Sequence, residues 1–205
     1  EQGEVVALDG EEVGAVELIA ELNERAGKHG VGRSDIMEDR MLGLKVRENY
    51  EHPAATVLLN AHEALEGLVL TQEERAFKQQ VDQQWAQKGY QGLVDAPLTK
   101  ALEAFIEQTQ TKVTGTVTVK LDGGQARPVG RDSEYAVYSE SAASFNEEAV
   151  TDDIEQSDAT GVAKYHGFQA RLANRVAESV AAREAETAAT DGGQDGGPAA
   201  DETSE

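Results

Sequence analysis

The spacing of apolar residues changes near residue 113, and this change limits the folds that are open to the chain. Residues 54–110 carry apolar side chains at helical spacing, in three successive segments with turns between them. From Val113 to Leu121 apolar residues alternate with threonine and lysine, which is the period of a strand with one buried face. Asp122-Gly123-Gly124 predicts a turn, and residues 125–131 return as the second strand of a hairpin. Helices followed by an antiparallel hairpin indicate the α+β class, and not a series of βαβ units.

Four helices are predicted in the first part of the chain, over residues 15–28, 54–70, 71–88 and 97–110. The third has a clear beginning, because Thr71 with Glu74 three residues later forms a capping box. Pro97 suits the first turn of the fourth helix, because a backbone N–H there would have no acceptor within the helix and its absence in proline loses no hydrogen bond. We therefore expect a compact helical block packed with the antiparallel hairpin.

Shorter segments give weaker signals. Residues 4–8 predict a short strand closed by the turn Asp9-Gly10, and residues 135–138 predict a further strand. Residues 33–44 mix apolar and charged side chains, and their period does not decide between helix and strand. His52-Pro53 ends that segment.

Composition excludes several classes of protein. The 205 residues include no cysteine, which excludes disulfides, thiol nucleophiles and thiolate metal ligands. No run approaches 18 uninterrupted apolar residues, and the chain does not open on a secretory signal. Lys and Arg number 18 against 39 Asp and Glu, a net charge of −21 that would repel phosphate backbones. We expect a soluble, cytoplasmic protein that binds neither nucleic acid nor membrane.

The acidic excess lies both in the body of the chain and at its end. From residue 178 onward eight acids face a single base, Arg183, and the rest of the chain carries the remaining −14. The last fifteen residues have no apolar side chain larger than alanine, so we expect a disordered acidic tail over residues 188–205. That tail is either a solvating extension or an interaction segment. An acidic surface with only eight lysines stays hydrated in concentrated salt, which suggests a halophilic source.

Motifs of catalysis are scarce. The sequence has no glycine-rich phosphate loop, no GxSxG elbow and no HExxH, and its four histidines lack metal-ligand spacing. Residues 30–53 hold the densest cluster of charges of both signs, followed by Tyr50. One interpretation is an extended segment with a solvated charged face. The other is a polar pocket for a zwitterion, with a carboxylate for its ammonium group and a phenol for a carboxylate.

The chain resembles the C-terminal synthetase domain of the argininosuccinate synthase family. Residues 29–71 read HGVGRSDIMEDRMLGLKVRENYEHPAATVLLNAHEALEGLVLT, against a family signature HGVGRxDxxExR…GxKxRxxYExP and a helix with AHxALE. Further matches are collinear on both sides, so the resemblance covers about residues 1–177. Asp39, Val46 and Glu48 depart from the family's usual residues at these positions.

The resemblance implies an ATP-dependent ligase that joins citrulline and aspartate to argininosuccinate in arginine biosynthesis, releasing AMP and pyrophosphate. It implies two citrulline contacts in this chain, Glu38 of the ExR motif and Tyr50 of the YExP motif. It implies no catalytic residue and no metal ligand here. ATP with its Mg²⁺ would be bound by a nucleotide-binding half preceding residue 1, without which we expect no activity.

The resemblance also implies a division of the chain into three parts. Residues 1–160 would form the citrulline-binding synthetase domain, residues 161–187 a C-terminal oligomerisation helix, and residues 188–205 the acidic tail. The family forms homotetramers through that helix. A second interpretation is a non-catalytic oligomerisation or interaction module.

Overall fold

A computed structural model describes residues 1–138 and 157–191 of the chain. They belong to two compact units, the first of which ends at Tyr138. The first unit contains three strand pairs and four helices in the order β1 (Ala7–Leu8), β2 (Glu11–Glu12), α1 (Ala15–Lys28), β3 (Arg33–Asp39), β4 (Lys45–Glu51), α2 (Pro53–Val69), α3 (Gln72–Tyr90), α4 (Pro97–Gln110), β5 (Thr116–Asp122) and β6 (Gln125–Asp132). The second unit contains α5 (Asp158–Tyr165) and α6 (Phe168–Asp191).

The strand pairs are three separate antiparallel hairpins, β1–β2, β3–β4 and β5–β6. The helices α2, α3 and α4 follow one another without an intervening strand. The α+β class and the hairpin predicted from the change of period are therefore confirmed.

Helix α2 lies between the two parts of the core. One cluster of buried side chains is shared by α1, the start of α2 and β6, and consists of Leu18, Leu22, Ala26, Val31, Ala54, Val57 and Ala126. The other lies at the end of α2 and before β5, and consists of Leu65, Val69, Leu70 and Val113. Side-chain hydrogen bonds hold α2 to both neighbours: Asn23 accepts from the Ala54 amide at 2.9 Å, and Asn60 donates to the Ala126 carbonyl at 2.7 Å.

A close backbone approach fixes the base of the β3–β4 hairpin. Gly32 has φ +77°, and a Cβ added there would lie 2.6 Å from the backbone of His52 and Pro53. The His52 amide donates to the Gly32 carbonyl at 2.7 Å. Only glycine allows this packing, so the hairpin leaves the core at a defined point.

Local sequence signals predicted where helices α3 and α4 begin. Thr71 Oγ1 accepts from the Glu74 amide, and the Glu74 carboxylate accepts from the Thr71 amide, so the predicted capping box is present. Helix α4 has the predicted bounds, with Pro97 in its first turn.

Three segments differ from the prediction. Residues 135–138 form a turn and irregular chain, tied to α2 by a hydrogen bond from the Val137 amide to the Leu68 carbonyl, rather than a strand. The predicted helix over residues 161–187 is divided into α5 and α6 at Gly167, whose φ of +67° does not fit a helix. Helix α6 continues to Asp191, and residues 192–205 of the predicted tail lie outside the described residues. None of the helices described is both long enough and apolar enough to span a membrane.

Candidate functional site

The register of the β3–β4 hairpin places two sets of side chains on opposite faces. Residues directly opposite each other in an antiparallel pair share a face, and successive residues alternate between faces. Ser34 pairs with Tyr50, Ile36 with Glu48, and Glu38 with Val46. We call this set the Glu38 face. The remaining residues of the two strands form the ladder face.

The ladder face is a row of solvent-exposed ion pairs between the strands. Its pairs are Arg33 with Glu51 at 3.1 Å, Arg47 with Asp35 at 2.5 Å, and Lys45 with Asp39 at 2.5 Å. This is the solvated charged face that one interpretation of residues 30–53 predicted. Exposed pairs of this kind contribute little to stability.

The two predicted site residues meet on the Glu38 face. The Tyr50 hydroxyl donates a hydrogen bond to Glu38 Oε1 at 2.5 Å. Tyr50 lies opposite Ser34, so its side chain must lean along the hairpin to reach Glu38. The Glu38 side chain is 19% exposed, and its Oε2 is buried without a hydrogen-bond partner among the described residues. The structure therefore joins an acid and a phenol that lie twelve residues apart in the sequence.

The surroundings of the Tyr50 hydroxyl raise its pKa above the usual value. Its hydrogen bond to Glu38 raises the pKa of Tyr50, and burial and the negative charges of Glu38 and Glu48 raise it further. The positive charge of Arg40 has the opposite effect on this pKa. Tyr50 is therefore protonated at neutral pH and available as a hydrogen-bond donor.

Arg40 reaches the Glu38 face from the turn between the strands. Its Nη1 lies 3.1 Å from Glu38 Oε2, and its Nη2 donates to Glu48 Oε1 at 2.5 Å. The side chain of Tyr90, at the end of α3, is the largest cause that raises the pKa of Arg40, and the charge of Glu38 adds to it. We assigned Arg40 no role from the sequence, although it is the arginine of the ExR motif.

His52 ties the base of the hairpin to α2. Its Nε2 lies 3.1 Å from Ser34 Oγ, and its Nδ1 lies 2.9 Å from Thr56 Oγ1. Both ring nitrogens thus have protein partners, which fits a structural role for this histidine. Among the described residues, no group of His, Asp and Glu is placed to hold a metal ion.

A second polar cluster lies between α2, α3 and α4, away from the hairpin. Glu66 Oε1 accepts from His62, Lys78 and Gln110 at 2.8–3.0 Å, and Lys78 also donates to Asp82 at 2.7 Å. Burial alone would raise the pKa of Glu66, but these donors and the charge of Lys78 lower it to about 2. Within this cluster the Glu66 carboxylate is held by three donors of the fold, which indicates a structural role, while Gln110 Oε1 is buried without a hydrogen-bond partner among the described residues.

The Glu38 face can serve as one wall of a site for a small cation. Glu38 and Glu48 carry two negative charges and Arg40 one positive charge, which leaves a net charge of −1. A carboxylate with one oxygen on a phenol can still accept from an ammonium group. The face therefore suits an amino-acid head group better than an anion.

Comparison with known proteins gives a consistent family. A family model described as the arginosuccinate synthase C-terminal domain matches residues 1–173. The chain is 77% identical over 176 residues to the argininosuccinate synthase of Haloarcula marismortui, covering 86% of this chain and 42% of that protein. It is 74% identical over 179 residues to that of Natronomonas pharaonis (87% of this chain, 45% of the relative). It is 56% identical over 178 residues to that of Methanosarcina acetivorans (87% and 44%). The chain thus spans less than half the length of these curated relatives.

Proposed function

The chain belongs to the argininosuccinate synthase family as its C-terminal domain, and we propose that it supplies one wall of the citrulline site of an ATP-dependent ligase. The observation that carries this proposal is the hydrogen bond that joins Tyr50 to Glu38 on the Glu38 face of the β3–β4 hairpin. These are the residues that match the family's ExR and YExP motifs.

The two side chains have complementary roles in the proposal. Glu38 receives the α-ammonium group of citrulline in a charge-assisted hydrogen bond. Tyr50 fixes one oxygen of Glu38, and its own oxygen can accept a further hydrogen bond from the substrate. Together they orient the amino-acid end of citrulline, so that its ureido group points away from this wall.

The rest of the reaction is assigned to the part of the enzyme outside this chain. The citrulline ureido oxygen attacks the α-phosphorus of ATP and pyrophosphate leaves, which gives a citrullyl-adenylate. The aspartate amine then displaces AMP and forms argininosuccinate. The Mg²⁺ of ATP is assigned, together with the nucleotide, to that part of the enzyme.

A chimera tests the proposed function. This chain would replace the matching C-terminal portion of the Haloarcula marismortui enzyme, to which it is 77% identical over 176 residues. We expect the chimera to release pyrophosphate only when citrulline, aspartate and ATP are all present, and the 205-residue chain alone to release none. A chimera that folds but makes no argininosuccinate would contradict the ligase assignment. Turnover by the chain alone would contradict the division of the site.

The proposal includes a homotetramer held by residues 161–187. In support, Phe168, Leu172 and Val176 recur every four residues along α6 and are exposed, as are Val162 and Tyr165 of α5. An exposed apolar stripe on a helix is suited to a partner helix. A chain ending at Ala159 lacks this stripe and should sediment as a smaller assembly than the full chain, whereas a chain ending at Ala177 keeps the stripe and is the control. An unchanged number of protomers in the chain ending at Ala159 would contradict this role.

A non-catalytic module remains the second candidate, favoured only by the exposed stripe of α5 and α6. It predicts that the 205-residue chain assembles in solution while the chimera neither binds citrulline nor turns over.

We also propose that the enzyme is cytoplasmic and adapted to salt. The net charge of −21 and the similarity to Haloarcula and Natronomonas proteins support salt adaptation.

A further inference from the structure

Backbone hydrogen bonds fix Arg40 in the turn at the end of the hairpin. Its amide donates to the Leu44 carbonyl at 2.8 Å, and its carbonyl accepts from the Gly43 amide at 2.8 Å. Gly43 has φ +77°, as the tight turn requires. The backbone of Arg40 is therefore set by the turn, and the side chain folds back over the Glu38 face.

The guanidinium group of Arg40 joins the two strands of the hairpin. It lies 3.1 Å from Glu38 Oε2 in β3 and donates to Glu48 Oε1 of β4 at 2.5 Å. The Glu38 side chain is 19% exposed and that of Arg40 37% exposed, so water competes only in part for these contacts. A guanidinium with several fixed partners holds a carboxylate in one orientation.

The charges around Arg40 leave Glu38 available to a substrate. Glu48 offsets the positive charge of Arg40, so the ion pair with Glu38 does not cancel the attraction of Glu38 for an ammonium group. Tyr50 donates to Glu38 Oε1, and the Arg40 guanidinium lies 3.1 Å from Oε2, which has no hydrogen-bond partner among the described residues and so can accept one from a substrate. Glu38 is thereby fixed from both sides before a substrate arrives, which reduces the cost of binding.

We propose that Arg40 is a positioning residue for citrulline: acting through Glu38, it holds that carboxylate in the orientation that receives the substrate's α-ammonium group. This inference rests on the proposed function of Glu38. Arg40 itself contacts no reacting atom in this scheme, so its loss weakens citrulline binding and spares the adenylation step.

Kinetics of the chimera test the role of Arg40. R40Q should raise the KM for citrulline about tenfold, while kcat and the KM for ATP change less than about twofold. R40K keeps the charge but loses the planar fork, so its KM should lie between those of the parent chimera and R40Q. If R40Q does not fold, R40K alone decides, and a KM equal to that of the parent overturns the proposal.

Arg47 provides a matched control on the opposite face of the same hairpin. Arg47 also pairs with a carboxylate, Asp35, but on the ladder face. R47Q should leave the KM for citrulline unchanged. A rise in KM that is equal in R47Q and R40Q would overturn the proposal, because it would reflect general loosening of the hairpin.

E38Q separates a failure of this inference from a failure of the proposed function. If E38Q raises the KM for citrulline and R40Q does not, the positioning role is wrong and the citrulline site stands. If E38Q also leaves the KM unchanged, the citrulline site itself is wrong.

The 205-residue chain alone gives a second readout. The pKa of Tyr50 is raised by Glu38 and lowered by the positive charge of Arg40. R40Q removes that charge and should therefore raise the pKa of Tyr50 further. Titration of ¹³C-labelled tyrosine by NMR, with Y50F to assign the signal, measures the change. R47Q should have no effect. A Tyr50 pKa that does not differ between the parent chain and R40Q would overturn the proposal, because the guanidinium would then not lie on this face.

Discussion

Glu66 keeps its charge although its side chain is only 12% exposed. Burial would raise its pKa, but donors from His62, Lys78 and Gln110 lower it to about 2, below the usual value of 4.5. A folded-state pKa below that of the unfolded chain contributes stability above about pH 4.5, and this stability is lost as the pH falls towards 2. Glu66 is thus a source of acid sensitivity that is independent of the Glu38 face.

The effect of Glu66 can be measured by comparing E66Q with the parent chain at constant KCl concentration. The difference in the free energy of unfolding should be about 3 kcal/mol near pH 6 and should shrink as the pH falls from 5 to 2. A difference that is constant across this range would contradict the account of Glu66.

Lys78 tests the same cluster from the cationic side. K78M leaves the Glu66 charge buried without its ion pair, so the free energy of unfolding should fall by about 3 kcal/mol. Lys100 is the control, because its pair with Asp95 is exposed and 3.7 Å long. K100M should change stability by less than about 0.5 kcal/mol. Equal effects of the two substitutions would show that Lys78 has no special role.

At the scale of elements, the position of the β3–β4 hairpin depends on Gly32. G32A combines a strained φ with a Cβ only 2.6 Å from the backbone of His52 and Pro53, neither of which can move freely. Gly43 has the same φ of +77° but nothing within 4 Å of an added Cβ. G43A should therefore cost about 1 kcal/mol and G32A at least twice as much, measured by chemical unfolding. NMR shifts throughout the hairpin should change only in G32A, and similar effects of both would contradict this account.

Local sequence signals predicted those elements whose stability is local. The Thr71 capping box and Pro97 mark helix ends, and the alternation from Val113 marks a strand with one buried face. The strand Lys45–Glu51 was not predicted, because its sequence KVRENYE lacks a continuous apolar face. Its backbone pairing with β3 holds it instead, in a register that the periodicity of a single sequence does not record.

The candidate site was predictable only in part for the same reason. Glu38 and Tyr50 followed from the family resemblance, and no spacing rule in the sequence brings them together. Their contact depends on the hairpin register and on the lean of the Tyr50 side chain. Arg40 and Tyr90 are fifty residues apart, so the effect of Tyr90 on the pKa of Arg40 depends on the tertiary position of α3.

At the scale of the whole molecule, the net charge of −21 over 205 residues should make stability depend strongly on salt. In dilute buffer the acidic groups repel one another over about 10 Å or more, whereas molar salt screens them within about 3 Å. The midpoint of thermal unfolding of the intact chain should therefore rise from dilute buffer to molar KCl. A midpoint that does not rise would contradict salt adaptation.

The assignment of Glu38 and Tyr50 as one wall of the citrulline site is tested most directly by initial rates of the chimera with varied citrulline. E38Q removes a charge-assisted contact that contributes about 1.5–3 kcal/mol, so its citrulline KM should rise about ten- to a hundredfold. Y50F should raise it less, and the KM for ATP should stay constant in both. Citrulline KM values of E38Q and Y50F that equal that of the parent chimera would contradict the assignment.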